Sequence, residues 1–230
     1  MANIKTLGFD ADDTLWHSEN YFQAAHADYV AVMSDYMDAS EIEARLLDNE
    51  RKNLDIYGYG VKSFTLSMME TALEITKNQV DASHVSKILE IGRELLKTPV
   101  ELLPEVAETI DALAPDYELV LITKGDLKDQ ERKIADSALA EHFEALEIVS
   151  EKTEQTYRKI FNRHASVGQS VMIGNSMKSD ILPALDAGAF AAHIPYRVTW
   201  ALEEAEAAVH ERLILAETLA EAAKKIRSLG

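Results

Sequence analysis

Short runs of continuous apolar residues, each ending in polar residues, constrain this chain's fold more than any other feature. Five such runs stand at 5–9, 118–123, 145–149, 170–173 and 190–194. Several lack apolar–polar alternation, which is the pattern of strands covered on both faces of a parallel sheet. Helical patterns separate the last four: LKDQERKIADSALAEHF, EQTYRKIFNRHAS and KSDILPALDAGA, the last stopping at Gly188 as a helix cap would. Alternating units of this length predict an α/β protein with a doubly wound, Rossmann-like parallel sheet. A sixth short strand is expected at 212–215. ETLAEAAKKIRSL reads as a closing helix with basic residues in its last turns, where the helix dipole favours them.

The first run breaks the rhythm, because about a hundred residues separate it from the second. That span carries apolar residues at helical spacing in SENYFQAAHADYVAVMSDYM, ASEIEARLLDNERKNLDI, SFTLSMMETALEIT and DASHVSKILEIGRELLK. The break YGYG at 57–60 divides the second from the third, and Pro99 and Pro104 punctuate the return to the sheet. The expected organisation is therefore an α/β core at 1–16 and 99–230, with an inserted all-helical domain at 17–98.

Composition narrows the partners. The 230 residues are 47% hydrophobic and 27% charged, the balance of a globular protein with a real core. The formal net charge of −17 repels nucleic acid and anionic membranes, so neither is expected as a partner. An anionic substrate would need local cations to be held. There is no cysteine, which excludes disulfides and thiolate metal sites. No secretory signal and no apolar stretch near the ~20 residues of a membrane span is apparent, so cytoplasmic residence is expected.

In open parallel sheets, ligands bind beyond the carboxyl ends of the strands. The polar residues gather there: Asp10, Asp12 and Asp13 after the first run; Thr123, Lys124 and Gly125 after the second; Lys152 after the third; Asn175 and Asp180 after the fourth. Three carboxylates in four positions are costly to desolvate unless something offsets them. Phosphoryl transfer would use such a set. Asp10 can be a rigid nucleophile, and Asp12 a general acid and then base. Thr123 can bond phosphoryl oxygens, and Lys152 can pair with phosphate and Asp10. Asp180, Asp10 and Asn175 can supply hard oxygen ligands for Mg2+.

In this order, DADDTLW, LVLITKGD, IVSEKTEQTYRKIF and VMIGNSMKSDILPALDAGA resemble the four motifs of the haloacid dehalogenase superfamily, and the insert resembles its helical cap. The resemblance implies an aspartyl-phosphate intermediate on Asp10, acid/base catalysis by Asp12, and phosphate stabilisation by Thr123 and Lys152. It implies Mg2+ held by Asp10, Asp180 and the Asp12 carbonyl, and a cap that closes over a small-molecule phosphate ester. Phosphatases of the superfamily carry the second aspartate. Dehalogenases lack an acid there, because halide leaves unprotonated. Asp12 therefore favours ester hydrolysis over a 2-haloacid dehalogenase or phosphonatase; the large insert argues against a non-catalytic phospho-acceptor, and the intact Asp10, Asp12, Thr123, Lys152 and Asp180 argue against a binding protein.

Three positions depart from the family pattern: Asp13 where glycine is frequent, Lys124 where asparagine is frequent, and Asn175 where many members have aspartate. Lys124 and Gly125 are expected to contact substrate, as are Arg51 and Lys62, which flank the YGYG break.

Overall fold

A computed structural model describes residues 3–206 and 209–229. Six strands form one parallel sheet: β1 (Thr6–Phe9), β2 (Glu118–Lys124), β3 (Ala145–Val149), β4 (Ser170–Gly174), β5 (Phe190–His193) and β6 (Leu213–Leu215). Their order is β3-β2-β1-β4-β5-β6. The apolar runs thus mark every strand to within a residue or so. The direction of sequential winding reverses at β1 and β4, and a crevice at the carboxyl ends of such strands is where ligands bind in open α/β sheets.

The central strands are mainly apolar because both faces are covered. Every residue of β1 and β4 is buried. Successive side chains alternate between two cores. Leu7, Phe9, Leu119, Leu121, Val171 and Ile173 face one, with α5 (Val106–Leu113) and α9 (Leu219–Arg227) packed against them. Val120, Ile122 and Met172 face the other, under α7 (Glu154–His164) and α8 (Leu182–Ala187). Gly8 shares this second face. A Cβ there would meet the Phe161 ring at 3.0 Å, so the glycine lets α7 approach the central strand. The edge strand β3 is only partly covered, and Leu146 is exposed.

The chain divides into two compact units. One comprises the chain up to Glu19, Val100–Lys124 and Gln130 onward; the other comprises Asn20–Pro99 and Gly125–Asp129. The second is built on α1 (Glu19–Met33), α2 (Ala39–Tyr57), α3 (Val61–Ile75) and α4 (Ala82–Lys97), around Tyr29, Met33, Ile42, Leu46, Met68 and Ile88. Gly125–Asp129, expected in the core, groups with these helices. No helix among the described residues is long and apolar enough to cross a membrane.

Candidate active site

The carboxyl edge of the sheet assembles the site from four strand ends. β1 delivers Asp10, whose backbone N–H still donates to Ile173 O on β4 at 2.9 Å, so the residue is held by the sheet itself. Lys152 follows β3 and directly precedes the Thr153 cap of α7, whose hydroxyl accepts from Thr156 N. Its ammonium is buried and lies between two carboxylates. It donates to Asp10 Oδ1 and, at 2.6 Å, to Asp180 Oδ1.

Asp180 arises from a turn of π-helix at Met177–Ile181, which precedes α8 where the sequence suggests one uninterrupted helix. A π turn shifts the side-chain phase, a device frequent at functional sites. Ser176 N–H donates to Asp180 Oδ2 at 2.9 Å and closes the turn. Gly174 is required beneath it, because a Cβ there would stand 2.3 Å from Asp180 Oδ2.

Asn175, in the fourth motif, reaches across to the first. Its backbone N–H donates to Thr14 Oγ1 at 3.1 Å, and Thr14 in turn donates to Asp10 Oδ2 at 3.1 Å. The Asn175 amide reaches Asp10 Oδ2 at 3.2 Å and the Asp12 carbonyl at 3.3 Å. With its nitrogen turned inward, it donates to both. With its oxygen inward, three acceptors face one another, which is the arrangement a cation relieves. Asp10, the Asp12 carbonyl, Asp180 and Asn175 are hard oxygen donors of the kind Mg2+ takes, with few protein ligands and retained water, although among the described residues no three acidic, histidine or cysteine side chains gather closely enough to hold a metal ion by themselves.

Asp10 and Asp12 sit in opposite electrostatic settings. Burial, and then the Asp180 charge, push the Asp10 carboxyl up to about 7 against the pull of Lys152. Burial works against the Lys152 charge, but Asp10 and Asp180 outweigh it and hold the ammonium above its ordinary range. Burial would raise Asp12 too, yet Lys133 and the bonds from Lys133, Trp16 and Gln130 hold it below the usual carboxylate range. Ionised Asp12 is the form that can accept a proton.

Thr123, fully buried at the end of β2, accepts from Gln130 Nε2 at 2.6 Å. Lys124 Nζ donates to Glu203 Oε1 at 2.7 Å and Ser179 Oγ at 2.8 Å, so this cation is joined to the loop after β5. Glu203 also accepts from the hydroxyls of Ser176 and Ser179. Gly125 follows at the strand's end. Arg51 and Lys62 belong to the helical unit, where Arg51 pairs with Asp48 at 2.8 Å and Lys62 with Asp126 at 2.9 Å. Asp13 adopts φ 62° and accepts from the N–H groups of Ser18 and Glu19, so the third acid of the cluster caps the entry to α1. Burial and the Asp12 charge push it up to about 7.

Sequence reasoning missed four contributors. Thr14, Gln130, Lys133 and Glu203 all bond residues of the predicted set. Gln130 and Lys133 stand three apart on α6 (Leu127–Asp136), the spacing of one helix face. That was the available signal.

A parallel sheet wound as 3-2-1-4-5-6, with carboxylates and a buried lysine at its carboxyl edge, defines a Rossmann-like α/β core with a polar cluster in its ligand-binding crevice. The family model of haloacid dehalogenase-like hydrolases matches residues 4–188, and this chain belongs to that family. Among solved structures, it is similar to a haloacid dehalogenase-like family hydrolase from Xanthomonas campestris. That match is 42% identical, covers 99% of this chain and 92% of the other, and has a TM-score of 0.87. A curated relative, N-acylneuraminate-9-phosphatase of Mus musculus, is 22% identical over 200 residues, covering 82% of this chain and 81% of that protein. L-2-haloacid dehalogenase from Xanthobacter autotrophicus shares the fold at 14% identity and a TM-score of 0.64, with 99% and 100% of the two chains covered.

Proposed function

We propose that this hydrolase is a Mg2+-dependent phosphatase acting on a small-molecule phosphate monoester through an aspartyl-phosphate on Asp10. The observation that carries the reading is the Asp12 carboxylate two residues beyond Asp10, oriented by three side chains. Halide departs without a proton, so dehalogenation gives Asp12 no work. An alkoxide leaving group needs the proton it can supply.

In the first half-reaction an Asp10 oxygen attacks phosphorus, the P–O bond to the leaving group breaks, and the proton that the monoanionic ester brings into the site is relayed through Asp12 to the departing oxygen, which leaves Asp12 ionised again. In the second, water attacks phosphorus, Asp12 takes its proton, and inorganic phosphate leaves with Asp10 restored. Lys152 keeps Asp10 oriented and offsets its charge. Thr123 donates to a phosphoryl oxygen. Mg2+, when bound by Asp10, Asp180, the Asp12 carbonyl and Asn175, supplies positive charge against the phosphoryl oxygens. Lys124, Gly125, Arg51 and Lys62 are proposed to contact substrate, so alanine in place of either Lys62 or Arg51 should raise KM more than it lowers kcat.

The dehalogenase reading is tested in parallel with a 2-haloacid. The phosphatase reading requires Mg2+-dependent phosphate release over a metabolite panel and loss of turnover in Asp10→Asn. Halide release without phosphate release would replace it with the dehalogenase.

A further inference from the structure

Asp12 receives four hydrogen bonds, and two come from a lysine that belongs to no recognised motif. Lys133 Nζ donates to Asp12 Oδ1 at 2.7 Å and to Oδ2 at 2.8 Å. Trp16 Nε1 donates to Oδ1 at 2.7 Å, and Gln130 Nε2 to Oδ2 at 3.2 Å. Each carboxylate oxygen therefore accepts twice, and the plane of the group is defined by three side chains. Two of these cannot move easily. Trp16 is 1% exposed within the sheet's first core. Gln130, also 1% exposed, is fixed by further bonds to Thr123 Oγ1 at 2.6 Å and Lys124 O at 2.7 Å.

Lys133 is the only one of the three that brings charge. Its side chain is 13% exposed, against 30% for Asp12. Ordering a lysine costs up to ~2 kcal/mol of rotamer entropy, so a bidentate, largely covered lysine is a specified contact rather than a solvated one. Its neighbour on α6, Arg132, pairs with Asp136 on its own helix.

We propose that Lys133 is a positioning residue that holds the Asp12 carboxylate in the orientation from which it exchanges protons with the leaving group and with water. Gln130 couples the same carboxylate to Thr123, so α6 ties motif one to motif two. The inference rests on the proposed role of Asp12 in phosphate ester hydrolysis.

The test replaces Lys133 by Met, which keeps the stem and removes the charge, and by Gln as a second variant. Each is assayed on an alkyl phosphate and on para-nitrophenyl phosphate, whose leaving group needs little protonation. The expected result is a kcat lower by about 10- to 100-fold on the alkyl ester, with a smaller loss on the aryl ester and KM within about threefold. Asp12→Asn combined with Lys133→Met should be no slower than Asp12→Asn alone. The indole N–H resonance of Trp16, distinguished from Trp200 by a Trp200→Phe variant, should move in Lys133→Met because its acceptor has turned. A kcat loss no greater on the alkyl than on the aryl ester, multiplying losses in the double variant, or an unmoved Trp16 indole would each overturn the proposal. If the wild type hydrolyses no phosphate ester, the phosphatase reading fails, and the indole resonance alone then decides whether Lys133 orients Asp12.

Discussion

Asp10, Asp12 and Asp13 carry the same formal charge within four positions, and their surroundings give each a different job. Asp10 is buried against Lys152 and Asp180, Asp12 is saturated by Lys133, Trp16 and Gln130, and Asp13 caps α1. That Asp10 and Asp12 belong to one polar cluster at the strand end was open to sequence reasoning, because the residue types and spacing suit phosphoryl transfer. The function of Asp13 was not, since it depends on a left-handed φ and on two N–H groups five and six residues onward. Glu203 was invisible for a similar reason. Nothing in HIPYRVTWALEE marks which acid will fold back onto the Lys124 ammonium.

That contact makes a residue-level prediction. Burial would raise the Glu203 carboxyl, but Lys124, Ser176 and Ser179 hold it below its ordinary 4.5. A depressed folded value means that the stabilisation is fully present above the unfolded value and is lost as pH falls through the folded one. Glu203→Gln should therefore cost ~1–3 kcal/mol in urea unfolding at pH 7. The difference from wild type should shrink as pH drops below about 4.5. A difference that stays constant from pH 7 to pH 4 would show that the charge is not what matters.

At the scale of elements, the strands were legible and the approach of helices to the site was not. The five apolar runs and the segment expected as a sixth strand all proved to be strands, the edge strands β3 and β6 being only partly covered. The same periodicity says only that 127–136 is a helix; it does not say that Gln130 and Lys133 turn inward. Nor does KSDILPALDAGA reveal the π turn that aims Asp180, because its apolar spacing suits a plain helix as well. The end of β4 offers a test of that turn. The Asp180 carboxylate is held on one side by Lys152 and on the other by Ser176 N–H, so it cannot withdraw from a new methyl group. Gly174→Ala should displace it, lowering stability by ~1–3 kcal/mol. Activity should fall by at least tenfold even where the variant remains folded. A variant with wild-type melting and turnover would contradict the packing described.

At the scale of the molecule, a chain of net charge −17 holds a buried cation, Lys152, between two buried carboxylates, Asp10 and Asp180. Removing one partner of such a buried set is far more damaging than losing a surface pair. Lys152→Met should cost ~3–5 kcal/mol, with turnover lost. Mg2+ should act in the opposite sense. Binding to the folded state alone at about a hundredfold over its dissociation constant adds ~2.7 kcal/mol, which raises Tm by several degrees. Asp180→Asn should reduce that rise, and chelation should reverse it in the wild type. A Tm indifferent to Mg2+ would remove the metal from the account. The hundred-residue interval after β1 leads to the expectation of an inserted helical unit, whereas nothing in the sequence marks the grouping of Gly125–Asp129 with the helices, because the segment directly continues a strand.

The most direct measurement is phosphate and halide release in the same reactions, from a panel of phosphate monoesters and 2-haloacids, for wild type and Asp10→Asn, with Mg2+ and with a chelator. The account predicts phosphate release from at least one ester by the wild type with Mg2+, none with the chelator, at least a thousandfold loss in Asp10→Asn, and no halide. Undiminished phosphate release by Asp10→Asn, or halide release as the sole turnover, would contradict it.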